Sequence, residues 1–187
     1  LAKINKADTG NQQADKPQNT DLSAYALSYT WSGDVEQAGR KLEFDIAYTT
    51  KDKDWTNAVL ELGDEVCLSY TDEVTQETYP VFQGRIFSRS RDSESYAMRF
   101  VAFDNIIYLA KSRITRKYAN VTVADAIRQT IHDFSIEAGM MPDLSVVCSF
   151  IADDISVTDA IKQALFYQSA QDGKGYHIYM TDGKLNV

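Results

Sequence analysis

The sequence predicts an α+β chain: an antiparallel β-barrel domain, then a small α/β domain with two similar helices. Three observations carry this. Apolar residues alternate with period two from Asp21 to Asp104. From Asn105 the period becomes helical. The segment from Val121 to Gln129 returns as Ile155 to Gln163, an offset of 34 with five of nine positions identical.

Residues 1–21 are rich in Asn, Gln, Asp and Lys, include Pro17 and have no apolar period, so a flexible N-terminal arm is expected. The barrel domain is placed at 22–112. Tyr25, Leu27, Tyr29 and Trp31 form one alternating face, and Leu42, Phe44, Ile46 and Tyr48 the next. A Gly63-Asp64 turn leads into Val66, Leu68 and Tyr70. Phe82, Gly84 and Ile86 follow, then Tyr96, Met98, Phe100 and Ala102. Half-buried strands joined by polar turns are the pattern of an antiparallel sheet with one wet face. A sheet with that many strands usually rolls up, hence the barrel. Trp31 closes an alternating face ahead of a Ser-Gly-Asp turn, so its ring is expected to pack at the barrel end.

The second domain is placed at 113–187. Ile106 to Ala110 reads as one or two helical turns just before it. Thr122-Val-Ala-Asp125 is a capping box with Asp in place of Glu or Gln, opening a helix to about Phe134 with Gly139 as its stop. A brief strand is read at 144–150. Ser156-Val-Thr-Asp159 opens a second helix ending near Gly173. Asp182-Gly183, between Tyr176–Thr181 and Lys184–Val187, signals a hairpin. Each echo copy is expected to supply one helix with strand material after it. Val123, Ala126, Ile127, Ile131 and Phe134 fall on one helical stripe; Val157, Ala160, Ile161, Ala164 and Leu165 fall on the other. Arg128 and Lys162 then face solvent or a neighbour. A hairpin strand that stops at the last residue points to a domain truncated at its C-terminus.

Composition narrows the function. The net charge is −8, which disfavours a duplex-DNA or anionic-membrane surface. No signal peptide opens the chain and no apolar run approaches a membrane span, so folding in a reducing cytoplasm is expected. Cys67 and Cys148 lie too far apart in sequence for a metal motif; Cys67, within an apolar alternation, reads as a core thiol. His132 beside Asp133 and His177 between two tyrosines are the only histidines, and both read as surface residues. Asp64-Glu65 and Asp153-Asp154 read as solvated turn acids rather than a hydrolytic pair. No catalytic, cofactor-binding or metal-binding residue is assigned, and no enzymatic activity is expected. Two basic groups, Arg85, Arg89, Arg91 and Arg99, then Lys111, Arg113, Arg116 and Lys117, form either a solvated face or a contact face for an acidic neighbour.

Trp31-Ser-Gly-Asp34 followed by Gln37-Ala-Gly-Arg-Lys-Leu-Glu-Phe44 resembles the opening of the PBSX-type prophage tail proteins, of the baseplate hub family of contractile tails. Leu62-Gly-Asp-Glu-Val66 and Phe82-Gln-Gly-Arg-Ile86 add to the likeness, which covers about residues 21–187. It implies a structural subunit that links tail tube to spike, with two barrel-like domains per chain and a homotrimeric full-length parent. Its implied partners are tube, spike and neighbouring hub subunits, without direct nucleic-acid or membrane binding. Assembly would take place in the bacterial cytoplasm, with release in a phage or tail-like particle. The alternative from the tyrosine-rich composition is a module that binds cell-wall carbohydrate.

Overall fold

The computed structural model describes residues 2–7, 20–33, 39–91, 95–181 and 183–187. It is α+β, with two compact units that meet in sequence at Asp104 and Asn105.

The first unit is a seven-stranded sheet: β1 (Ala2–Ala7), β2 (Thr20–Asp21), β3 (Ala26–Gly33), β4 (Arg40–Ala47), β5 (Glu65–Thr71), β6 (Thr78–Arg91) and β7 (Ala97–Phe103). Its order is β2-β1-β5-β6-β7-β4-β3 and every pairing is antiparallel. The period-two residues build the core. Leu42, Phe44 and Ile46 of β4, Val66 and Leu68 of β5, Phe82 and Ile86 of β6, and Phe100 and Ala102 of β7 are all buried in one cluster. Phe44 and Phe100 are register partners whose rings stack at 5.3 Å. β6 changes neighbours along its length: Thr78–Arg85 pairs with β5, and Arg85–Arg91 pairs with β7. Gly84 sits at this changeover. A Cβ there would meet the Phe103 carbonyl oxygen at 2.3 Å, so the glycine is a packing requirement.

Several expectations change here. Residues 2–7 are no arm: β1 pairs with β5 along its whole length, and Ile4 enters the core. Six residues, half of them polar, carry no readable period, yet the ladder satisfies their backbone groups. Cys67 is half-buried, on the opposite side of β5 from Val66 and Leu68. Tyr70 and Tyr96 are exposed. Among the described residues β2 and β3 are the two ends of the sheet and no ladder joins them, so the barrel is represented by an antiparallel sheet with two edges.

The second unit holds α1 (Ile106–Lys111), β8 (Arg113–Thr122), α2 (Val123–His132), β9 (Glu137–Ala138), β10 (Val147–Ser156), α3 (Val157–Asp172), β11 (Tyr179–Thr181) and β12 (Lys184–Asn186). α1 belongs here and not with the first domain, because Ile106 and Leu109 are buried in this core. The sequence echo is the visible part of a larger one. β8 and β10 pair antiparallel, and each runs directly into a helix. The strand therefore precedes its helix, the reverse of the expected order. Thr122 and Ser156 cap the helices, accepting from the N–H groups of Asp125 (3.1 Å) and Asp159 (3.0 Å).

The same 34-residue step relates contacts that no sequence identity marks. Val123 N–H bonds Val146 O and Val157 N–H bonds Ser112 O, at 2.8 and 3.0 Å. Asn120 and Asp154 both have left-handed φ, 54° and 46°, tolerated by their short polar side chains. Asn120 N–H donates to Ser149 Oγ at 2.8 Å, and Asp154 N–H donates to Thr115 Oγ1 at 3.1 Å. Each strand thus bulges just before its helix and is held by a hydroxyl of the other strand. Ile127 and Ile161 occupy equivalent buried positions.

α2 ends at His132, about two turns short of Gly139. A Cβ on Gly139 would meet Asn186 Oδ1 at 2.3 Å, so this glycine admits Asn186 rather than stopping a helix. α3 ends as expected, on left-handed Gly173. β11 and β12 form the expected hairpin, with Thr181 opposite Lys184, and β12 also pairs parallel with β9.

Ile127→Ala and Ile161→Ala are expected to lose similar stability, about 2–5 kcal/mol in urea melts, while Arg128→Ala on the exposed face changes it by less than about 0.5 kcal/mol. The Asp172 carboxyl is held down at about 2, first by the Tyr176 hydroxyl, then by the Gln168 amide and the Lys174 N–H. Its folded value lies below the ordinary 3.8, so its contribution is complete above that value and is lost as pH falls through about 2. Carbon-detected NMR titration of Asp172 should give a midpoint near 2, moving upward in Tyr176→Phe.

Candidate assembly surfaces

The residues first considered for chemistry do not converge. His132 and His177 are exposed, and His177 precedes β11 instead of lying on a strand. Asp64 pairs with Lys6 at 2.8 Å and Glu65 with Arg85 at 3.5 Å. Asp154 pairs with Arg113 at 2.6 Å, which lowers its carboxyl below the usual aspartate value. Burial raises the Cys148 thiol, so it stays protonated and inert. Among the described residues no three His, Cys, Asp or Glu side chains gather as a metal site would require.

The two basic groups are largely spent within their own units. Arg99 holds Asp45, its register partner, with two bonds of 2.9 and 3.2 Å. That fork and the Ser28 hydroxyl lower the Asp45 carboxyl. Arg85 also reaches Gly63 O at 3.1 Å, and Arg91 lies over the Tyr48 ring at 4.8 Å. Arg116 binds Asp133 at 2.6 Å and Gln129 O at 2.8 Å. Such pairs order strands and helix ends and leave little unpaired charge for an acidic neighbour. Arg89, Lys111 and Lys117 remain exposed.

A different surface stands out. β3 is an edge strand: among the described residues it hydrogen-bonds to β4 alone. It is eight residues long, Ala26–Gly33, and contains no charged residue and no proline. Natural edges are usually blunted by lysine, proline or brevity. The opposite edge, β2, has only two residues. Tyr29 is opposite buried Phe44 and Trp31 is opposite buried Leu42. Directly opposed residues share a face, so these rings continue the core face outward, where Tyr29 and Trp31 are only partly covered. Trp31 is 46% exposed, contrary to the packed ring expected from its alternation. The reason is topological: alternation predicts a face, but the last strand of a sheet has no neighbour to close over it. Strand β3 runs through Gly33 without a break; Asp34 of the expected turn lies outside the described residues.

The family pattern described as YQBQ-like matches residues 29–187, most of both units. The chain belongs to the YQBQ-like family. Among curated relatives, the phage-like element PBSX protein XkdQ of Bacillus subtilis strain 168 is 28% identical over 168 residues, 89% of this chain and 49% of XkdQ. The uncharacterized protein YqbQ of the same organism is 29% identical over 109 residues, 57% of this chain and 33% of YqbQ. The chain thus spans half or less of the curated relatives it matches. The prophage-tail family resemblance seen in the motifs therefore holds. The fold is shared with the tail protein of Neisseria meningitidis MC58 (TM-score 0.65, 15% identity, 100% of this chain and 50% of that one). It is shared equally with the 43 kDa tail protein of prophage MuSo2 from Shewanella oneidensis (TM-score 0.66, 11% identity, 100% and 53%).

The family match begins at Tyr29, within the exposed edge. Trp31→Ala is expected to lower stability by less than about 1 kcal/mol in denaturant melts, because its ring lacks a full set of packing partners. A loss of 3 kcal/mol or more, about the cost of a buried ring, would place Trp31 in the core instead.

Proposed function

We propose that the chain is the front part of a structural baseplate-hub subunit of a phage tail or tail-like bacteriocin, joining tail tube to spike, without enzymatic activity. The observation that carries this is the uncharged, uncovered β3 edge in a member of a prophage-tail family. A ring subunit must offer sheet edges and flat apolar faces to its neighbours, and a monomeric protein must hide them. Tyrosine and tryptophan suit such contacts, since they bury large area while losing little side-chain freedom. In the ring the seven-stranded sheet acts as a barrel-like tube domain, with β3 set against a neighbouring chain. The full-length parent is a homotrimer assembled in the bacterial cytoplasm and released in the particle. The net charge of −8 fits a subunit that keeps nucleic acid unbound.

Sedimentation of the full-length parent with isolated tubes and spikes tests this. The wild type is expected to co-sediment and to be trimeric in sedimentation equilibrium; paired Tyr29→Ser and Trp31→Ser changes are expected to abolish co-sedimentation with the fold intact by circular dichroism. A parent that ignores both tube and spike, or a clearing zone on cell-wall zymograms, defeats the reading.

A further inference from the structure

A second aromatic surface lies in the first unit, on the segment that follows β4. Ala47, Tyr48, Thr49, Asp52, Trp55 and Tyr96 line an open recess of about 270 Å³. Its floor is preorganised. The Tyr48 backbone N–H bonds the Tyr96 carbonyl oxygen at 2.9 Å, which holds together the two main-chain segments that carry these rings. The Asn57 side chain bonds both backbone groups of Thr49, at 2.9 and 2.7 Å, and so clamps the loop between Tyr48 and Trp55. Trp55 is braced edge-on by Tyr25 at 5.8 Å, yet 39% of it is open to solvent, and Tyr96 is 63% open. Trp55 also stands in the polar run Lys-Asp-Lys-Asp-Trp-Thr-Asn. The core of this unit makes no use of it.

We infer that this recess binds one pyranose ring of an uncharged oligosaccharide. The size fits a single six-membered ring; a docked strand or helix needs more, and drug-sized pockets begin at about 300 Å³. The electron-rich faces of Trp55 and Tyr96 attract the polarised C–H bonds of a sugar face. Asp52 supplies a hydroxyl acceptor and Lys51 a donor at the rim. A cationic ligand, the other habitual guest of aromatic cages, meets like charge here: Lys51 Nζ already lies 5.6 Å from the Tyr96 centroid, and Arg91 covers Tyr48 at 4.8 Å. A purely apolar guest would leave the Asp52 and Lys51 rim unused. The site is separate from the β3 edge in residues and in chemistry, so the inference stands independently of the hub assignment.

The test is titration of the full chain by ¹⁵N and aromatic NMR with two probes, the β-1,4-linked tetramer of N-acetylglucosamine and maltotetraose. At least one is expected to shift the Tyr48, Trp55 and Tyr96 signals and to saturate with a Kd of about 1 mM. Trp55→Ala and Tyr96→Ala should each weaken it about tenfold, and Trp31→Ala should leave it unchanged. Should Trp55→Ala unfold, the exposed Tyr96→Ala decides alone. Three results overturn the proposal: no shift with either sugar, shifts insensitive to both variants, or choline binding at these rings where the sugars do not. When the first of these comes with loss of tube co-sedimentation in Tyr96→Ala, the recess is assigned to a protein neighbour.

Discussion

The pairing of β4 with β7, closed by the Phe44–Phe100 stack, is the constraint on which the first unit depends. These strands sit between β6 on one side and β3 on the other, so their register sets which residues of both neighbours face inward. Because side chains alternate across a strand, a slip of one residue would turn Leu42, Phe44 and Ile46 to solvent and expose the core. The Arg99–Asp45 fork on the opposite face locks the same register with charge-assisted bonds. Gly84 completes the arrangement by letting β6 leave β5 and join β7 without a side chain in the way.

The second unit solves its folding problem by repetition. Two strand–helix copies pair through their strands, and each lends the other a hydroxyl and a carbonyl where its strand bulges into its helix. Equivalent positions differ in size without loss of packing. Buried Tyr118 corresponds to buried Ala152, and Phe150 fills the difference by stacking on Tyr118 at 4.6 Å. The Tyr118 hydroxyl is satisfied by Thr130, so the large ring carries no unpaired polar atom inside.

Both surfaces that distinguish the molecule follow from these frameworks. The β3 edge is exposed because the sheet ends there, and its inward-pointing rings exist because the alternation of β4 continues into it. The recess at Tyr48, Trp55 and Tyr96 exists because a hydrogen-bonded loop holds aromatic rings away from the core. Part of the basic groups, by contrast, is consumed within the fold: Arg85, Arg99, Arg113 and Arg116 pair with acids on neighbouring strands or a helix end, while Arg89, Lys111 and Lys117 stay exposed.

Much of this protein was legible in its residues. The α+β class followed from the switch of period at Asn105, and the caps at Thr122 and Ser156 followed from hydroxyl-to-aspartate spacing. The buried places of Ile127 and Ile161 followed from the echo. These are local signals: a cap is satisfied within one turn, and alternation needs only a single strand. Tertiary structure alone decided the rest. Residues 2–7 became a strand because β5 offered them a ladder, not because of their own pattern. Trp31 became exposed because its strand is last in the sheet, and Cys67 faces away from the core because Val66 and Leu68 took the inner face. Gly139 matters for Asn186, which is distant in sequence. Which strand is an edge, and which aromatic ring lacks a neighbour, depends on pairings between distant segments, and no single stretch of the chain encodes that.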